Sequence, residues 1–320
     1  MNRESATEMV AAFDIGSDTV RGLLAALESD GTLRVIARAA SMTALGQGLS
    51  EGSDLCNSAI DATVRFVSDI LEEWSNPSGR PSQVFAVATA AVRDAADEDA
   101  DRLFSRLSAE CGVSARIVHG REEARLAWLG AISSLDEPVG NDPVVVDIGG
   151  RSSEFVTLAN SVPSGPAGSA DDALEAVSIP VGARSLTERF LGSDPPAPEE
   201  RDGARRFARD AFAPGLALAA GRGNMIVVGG TATAARMLRG RSSLSHAEMA
   251  ALECKMCDLT LAGRRALMPF DPERAGIICG GLILLTICAE AAPEGCLSVS
   301  DGGVREGLLL FYTGAPRLLK

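Results

Sequence analysis

The sequence predicts a two-lobed α/β protein, each lobe a sheet covered by helices, and three observations carry that expectation. The chain is 320 residues long, more than one hydrophobic core usually serves, so two domains are expected. Hydrophobic residues make up 46% of it and aromatics 4%, so the cores must be built from Val, Ile, Leu and Ala, a composition suited to parallel or mixed sheets under helices. The tripeptide Asp-Ile-Gly occurs twice, at Asp14–Gly16 and Asp147–Gly149. Each copy follows one apolar strand pattern and precedes two more, and a motif repeated with its strand order marks related lobes.

In the first copy the strands are Val10–Phe13, Thr19–Leu27 and Leu33–Ala39, with Gly31 before the third. Leu55–Trp74 has apolar residues at helical spacing and stops before Asn76-Pro77. A short buried strand, Val84–Ala88, precedes an amphipathic helix over Asp97–Cys111, ended by Gly112, and a strand at Ala115–Val118. A helix over Arg121–Ile132 carries the chain toward the second copy, whose strands are Val144–Val146, Ser152–Leu158 and Ala176–Val181. Asn160–Asp172 and Gly192–Arg201 are rich in Ser, Gly and Pro and read as loops. Ile226–Val228 runs into Gly229-Gly230-Thr231 and a helix to Leu238. Gly276–Ala289 is too short to span a bilayer and reads as a buried helix. Strand Leu297–Val299, a turn at Asp301–Gly303 and a helix after Arg305 close the chain.

The formal charge is −13 and the pI near 4.7. Such a surface repels nucleic acid and anionic lipid, so neither is expected as a partner. A polyanionic ligand would need cations and backbone N–H donors gathered at one place. Met1–Met9 lacks the basic and apolar regions of a secretory signal, and seven cysteines without a disulfide-like rhythm fit free thiols in a reducing cytoplasm. Cys254-Lys255-Met256-Cys257 is a lone CxxC on a helical pattern and reads as core packing rather than zinc or redox chemistry. His246, after Ser243-Leu244-Ser245, belongs to a helix's first turn, and two histidines leave no room for a His-based metal site.

A glycine turn between strands lets backbone N–H groups approach an anion with no Cβ in the way. Gly16 and Gly149-Gly150 supply such turns, with Ser17, Thr19, Ser152 and Ser153 as hydroxyl donors. Asp14 and Asp147 end strands, where a carboxylate can hold Mg²⁺ directly or through water. Asp-Gly pairs also make ordinary hairpins. Two copies together with Gly229-Gly230-Thr231 favour a clamp on a phosphate chain.

The two turns resemble those of the actin, hexokinase and heat-shock-chaperone superfamily. Within it, Ala88-Thr89-Ala90-Ala91-Val92-Arg93, Gly120-Arg121-Glu122-Glu123-Ala124-Arg125 and Ile179-Pro180-Val181-Gly182-Ala183-Arg184 resemble the exopolyphosphatase and guanosine pentaphosphate phosphatase family. So do Gly229-Gly230-Thr231, Pro272-Glu273-Arg274-Ala275 and Val304-Arg305-Glu306-Gly307, all in the family's order. The resemblance implies two ribonuclease H-like lobes, residues 1–125 with 304–320 and residues 126–303, each a mixed sheet with flanking helices, and an active-site cleft between them. It implies a cytoplasmic homodimer that releases terminal phosphate from polyphosphate or guanosine pentaphosphate with Mg²⁺ or Mn²⁺.

By that resemblance Glu123 is the base that orients the attacking water; its place in a helix's first turn favours the charged carboxylate the role needs. Arg93 is the phosphate-binding arginine, whose planar fork matches phosphate oxygens. Asp147 and Glu154 hold the metal, with Ser152 and Glu154 expected on one strand face. Asp14, Gly16, Ser17, Asp18, Thr19, Gly149, Gly150, Arg151, Ser152, Ser153, Gly230 and Thr231 bind substrate.

Four positions depart from the family pattern. Asp18 and Asp97 stand where Asn is usual, His119 replaces a small hydroxyl residue, and Arg151 occupies the third glycine of the second turn. Arg151 either fills space the phosphate needs, leaving a non-catalytic sensor of polyphosphate or alarmone, or supplies a cation that offsets Asp18.

Overall fold

The structure is a computed structural model that describes residues 8–49, 54–75, 80–135, 142–159, 174–315 and 318–319. The expected loop Asn160–Asp172 and most of Met1–Met9 lie outside the described residues. The chain forms two compact units, residues 1–119 with 304–320 and residues 120–303.

In the first unit, β1 (Glu8–Ile15), β2 (Thr19–Leu27) and β3 (Leu33–Met42) form an antiparallel meander. Helix α1 (Asn57–Glu73) leads to β4 (Gln83–Ala88), which pairs parallel with β1. The short α2 (Ala90–Asp94) and α3 (Asp97–Arg106) precede β5 (Ala115–Ile117), parallel to β4. Helix α1 buries Ile60, Val64, Val67 and Leu71, the stripe its spacing predicts.

The second unit opens with α4 (Gly120–Ser133) and repeats the plan. A meander of β6 (Val144–Ile148), β7 (Ser153–Leu158) and β8 (Leu174–Ile179) is followed by α5 (Ala183–Phe190) and α6 (Pro198–Ala219). Then β9 (Met225–Val228) pairs parallel with β6 and runs into α7 (Gly230–Arg239). The short β10 (Ser243–Ser245), α8 (His246–Cys257), α9 (Leu261–Leu267), α10 (Ile278–Ala291) and β11 (Cys296–Val299) complete it, β11 lying parallel to β9. The chain then returns to the first unit with α11 (Val304–Thr313) and β12 (Leu318–Leu319), which pairs with β3. Strand orders β3-β2-β1-β4-β5 and β8-β7-β6-β9-β11 are the same pattern: the ribonuclease H-like duplication that the paired motifs imply.

Three sequence expectations change. Pro198–Arg201 belongs to a helix, not to a loop, because Pro198 opens α6 and the Glu200 carboxylate accepts the Ala197 N–H at 2.8 Å. Proline in a helix's first turn followed by acidic residues is a start signal. Asp97–Cys111 is not one uniform α-helix; past Arg106 it widens into a π-type turn over Leu107–Cys111. The expected lobe boundary at 125/126 falls inside α4, which packs as a whole on β6, β7 and β8.

The cores are aliphatic, with a few aromatics placed against glycines. Phe155 meets Phe212 edge-on at 5.3 Å, and a Cβ at Gly215 would stand 2.4 Å from the Phe155 ring. Helix α10 is buried almost from end to end. Among the described residues no helix is long and apolar enough to cross a membrane.

Candidate active site

In the first unit, Asp14 lies near the end of β1, opposite Arg21 of β2, with Arg21 Nη1 at 3.8 Å from Asp14 Oδ2. The turn closes through Gly16 N–H donating to Thr19 O at 3.2 Å. The Ser17 carbonyl accepts from Gly46 N at 2.7 Å and the Asp18 carbonyl from Ala44 N at 3.0 Å. In a trans peptide C=O and N–H point oppositely, so the N–H groups of Asp18 and Thr19 are directed away from the 44–46 segment. Ser17 Oγ accepts from Ala91 N at 3.1 Å, tying the turn to α2, which carries Arg93. Arg93 donates to Val118 O at 3.0 Å and lies 4.0 Å from Asp94. Asp97 opens α3 in an acidic first turn, where the dipole favours it.

The second turn has the same geometry. Gly149 N–H donates to Ser152 O at 3.0 Å, and a Cβ at Gly16 or at Gly149 would meet the carbonyl that closes its turn at 3.0 Å. Here the carbonyls are held by the start of α5: Ala183 N–H reaches Gly149 O at 2.9 Å, and Arg184 and Ser185 N–H reach Gly150 O at 2.8 and 3.0 Å. The N–H groups of Gly150 and Arg151 are therefore directed away from α5. Gly182 permits this approach, since a Cβ there would lie 2.5 Å from Gly150 C. Asp18 and Arg151 hold equivalent third positions in the two turns.

The strand register places Asp147 of β6 opposite Glu154 of β7, and Glu154 opposite Ser178 of β8. Ser178 Oγ donates to Glu154 Oε1 at 2.9 Å. Gly120 seats the start of α4 on this row, where a Cβ would come within 2.9 Å of the Ser178 side chain. Glu123, 7% exposed, follows in the first turn of that helix. Ser152 closes the turn just ahead of β7, its carbonyl accepting from the Gly149 N–H. Ser153 gives its hydroxyl hydrogen to Val181 O at 2.7 Å.

Gly229, at φ +96°, brings the third glycine segment against β6: a Cβ would stand 2.7 Å from Ile148 O and 2.9 Å from Asp147 Oδ1. A Cβ at Gly230 would lie 2.2 Å from Arg274 Cζ, so the guanidinium covers that peptide. Arg274 is 5% exposed and donates from Nε to Asp271 Oδ2 at 2.7 Å. Sequence reasoning gave Arg274 no role; its place in the Pro272–Ala275 motif was the available signal. Thr231 is buried against Gly281 of α10.

Among the described residues no group of three or more His, Cys, Asp or Glu forms a metal cage. Asp147 and Glu154 make a pair of hard oxygen donors on neighbouring strands, which fits a magnesium ion that keeps several waters and takes its remaining ligands from phosphate. The first unit holds Asp14 to Thr19 and Arg93; the second holds Glu123, Asp147, Gly149 to Glu154, Gly230 and Thr231.

A duplicated ribonuclease H-like sheet with a glycine turn after each first strand defines the actin–hexokinase–heat-shock-chaperone class. Solved relatives agree on the fold: an exopolyphosphatase-like protein superposes with a TM-score of 0.82 at 23% identity, over 96% of this chain and 98% of its own. The Ppx-GppA enzyme of Aquifex aeolicus gives 0.71 at 26% identity, over 95% of this chain and 99% of its own. Exopolyphosphatase 2 of Mycobacterium tuberculosis is 29% identical over 331 aligned positions, 95% of this chain and 98% of the relative. Residues 25–313 match the Ppx/GppA phosphatase family, and the chain belongs to it.

Proposed function

We propose that the protein is a Mg²⁺-dependent hydrolase of phosphoanhydride bonds that releases terminal phosphate from inorganic polyphosphate or from guanosine pentaphosphate. The observation that carries the reading is the row Asp147–Glu154–Ser178, with the helix of Glu123 starting over it. Membership of a phosphatase family and likeness to exopolyphosphatase 2 support the same chemistry.

Phosphoryl transfer to water depends on positioning and charge neutralisation more than on covalent chemistry. The directed N–H groups of Gly150 and Arg151, and of Asp18 and Thr19, are the donors we assign to phosphate oxygens. Asp147 and Glu154 are the side chains we assign to the metal, which when bound neutralises those oxygens. Glu123 accepts a proton from the attacking water and aims its lone pair at phosphorus, and Arg93 offsets charge on the group transferred. No covalent intermediate is needed. We assign the protein to the cytoplasm and to a homodimer, with no nucleic-acid or membrane partner, in keeping with its acidic charge.

The test is phosphate release from polyphosphate and from pentaphosphate, with and without Mg²⁺, against a Glu123→Ala control. Loss of a positioned base lowers turnover by about 10²–10⁴-fold. Equal release by protein and control, with measurable ligand binding, refutes the hydrolase. Arg151 supports one other reading, a non-catalytic sensor; turnover that appears in Arg151→Gly and nowhere else establishes it.

A further inference from the structure

The two sheets carry the same row of three residues with different contents. In the second unit Asp147 of β6 faces Glu154 of β7, which faces Ser178 of β8. In the first unit the equivalent row is Asp14 of β1, Arg21 of β2 and Ala40 of β3. Side chains directly opposite on adjacent strands share a sheet face and interact. Where the middle residue is an arginine, it lies 3.8 Å from the aspartate, and the third place holds only a methyl group. Where it is a glutamate, two carboxylates stand side by side, and the third place holds a hydroxyl. Ser178 Oγ donates to Glu154 Oε1 at 2.9 Å. The donor belongs to β8, on the side of β7 away from β6, so it holds one glutamate oxygen away from Asp147.

The polar row lies directly beyond an apolar one. Val145, Val156 and Ala176 face one another two residues earlier in the register, and they pack with Ala124 and Ala131 of α4. The helix that carries Glu123 is thus seated on the same face of the sheet. At its start the backbone touches the serine: a Cβ at Gly120 would lie 2.9 Å from both Cβ and Oγ of Ser178. That contact limits the directions open to the hydroxyl. Glu154 is 1% exposed, whereas Ser178 is open to solvent on the strand that ends the sheet among the described residues.

We propose that Ser178 is a positioning residue for the divalent cation, a role that rests on Asp147 and Glu154 being the residues that hold Mg²⁺. Its hydroxyl fixes the Glu154 carboxylate against the repulsion of the neighbouring Asp147, and it acts on the cation only through Glu154. Removing a hydrogen-bond partner of a metal ligand typically weakens metal binding by about 10–100-fold.

The test reads Mn²⁺ uptake by the full chain from the relaxation of water protons, without substrate and without turnover. Ser178→Ala keeps the Cβ that meets α4 and removes only an exposed hydroxyl, so the fold is retained. It should bind Mn²⁺ about 10–100-fold more weakly than the parent. In phosphate release its half-saturating Mg²⁺ should rise by the same factor, while kcat at saturating Mg²⁺ and KM for polyphosphate stay near the parent's. Because the serine acts through the glutamate, Ser178→Ala combined with Glu154→Gln should bind within about twofold of Glu154→Gln alone. Parent-like Mn²⁺ uptake by Ser178→Ala, with Glu154→Gln weakened, overturns the role of Ser178 and leaves the metal assignment standing. Weakening that adds in full in the double variant overturns the route through Glu154. Equal uptake by the parent, Ser178→Ala and Glu154→Gln overturns the metal assignment and the role of Ser178 with it.

Discussion

Replacing Gly229 by alanine tests whether the third glycine segment sets the position of Asp147. At φ +96° and ψ 174° the residue occupies backbone space that is essentially glycine's own. Forcing a side chain there costs about 1–3 kcal/mol. The new Cβ would also press on Ile148 O at 2.7 Å and Asp147 Oδ1 at 2.9 Å, and overpacking of a fixed neighbour costs about 1–3 kcal/mol more. The carbonyl belongs to the last residue of β6 and has little freedom, so the Asp147 carboxylate is the group that moves. A total of about 2–6 kcal/mol corresponds, at about 2–4 °C per kcal/mol for a unit of this size, to a melting point lowered by about 4–24 °C. Gly240→Ala is the matched control, with φ +73° and nothing within 4 Å of the added Cβ, and pays about 1–2 kcal/mol of backbone cost. Thermal melts give the stability difference, and phosphate release measured well below both melting points gives the effect on Asp147. A Gly229→Ala protein that melts no lower than Gly240→Ala and responds to added Mg²⁺ as the parent does refutes the reasoning.

Three further outcomes follow from the same contacts. Gly215→Ala drives a Cβ into the buried Phe155 ring at 2.4 Å and should lower urea stability by about 1–3 kcal/mol, with turnover per folded molecule unchanged. Glu154→Gln keeps an acceptor for Ser178 but removes a charge from the row, and should raise the half-saturating Mg²⁺ about tenfold or more. The Glu200 carboxylate is held below its usual range by the Ser193 hydroxyl and the Ala197 N–H, with further backbone donors at Ser193 and Gly192. Its contribution to stability is therefore present above the ordinary carboxylate pKa of about 4.3 and is lost as pH falls through the lower folded value. Urea midpoints taken from about pH 7 to about pH 3 should show a flatter acid limb in Glu200→Gln.

The duplication was legible because it rests on local signals: an apolar run, Asp-Ile-Gly, then two more strands, written twice. Strand Thr19–Leu27 is found with the bounds its pattern predicts. The family resemblance named Glu123 as base and Asp147 and Glu154 as metal ligands but assigned Glu123 to the first lobe, whereas all three lie in the second unit. What the sequence hid depends on long-range contact. Nothing local says that Ser178 donates to Glu154, since the pair is fixed by register between β7 and β8. Helix α6 was obscured because Pro-Pro-Ala-Pro reads first as a loop, and because the helix continues through an internal proline, Pro214.

The aligned turns change the meaning of Arg151. In the first copy Asp14 is followed by Asp18 in the turn and by Arg21 across the strand pair; in the second Asp147 is followed by Arg151 and then Glu154, at the same spacings. The acid and the base exchange places, and each trio sums to the same charge. Arg151 thus keeps the second trio at the net charge that Arg21, beside Asp14, gives the first, and its side chain does more than occupy a glycine's space. Arg151→Gly leaves Asp147 and Glu154 with one more unit of negative charge around them, so it should lower the half-saturating Mg²⁺, while Arg151→Lys keeps the charge and should leave it near the parent's. Titrations of phosphate release against Mg²⁺ for the three proteins separate charge from bulk. If lysine and glycine shift the titration alike, the size and shape of the arginine matter and the charge exchange does not.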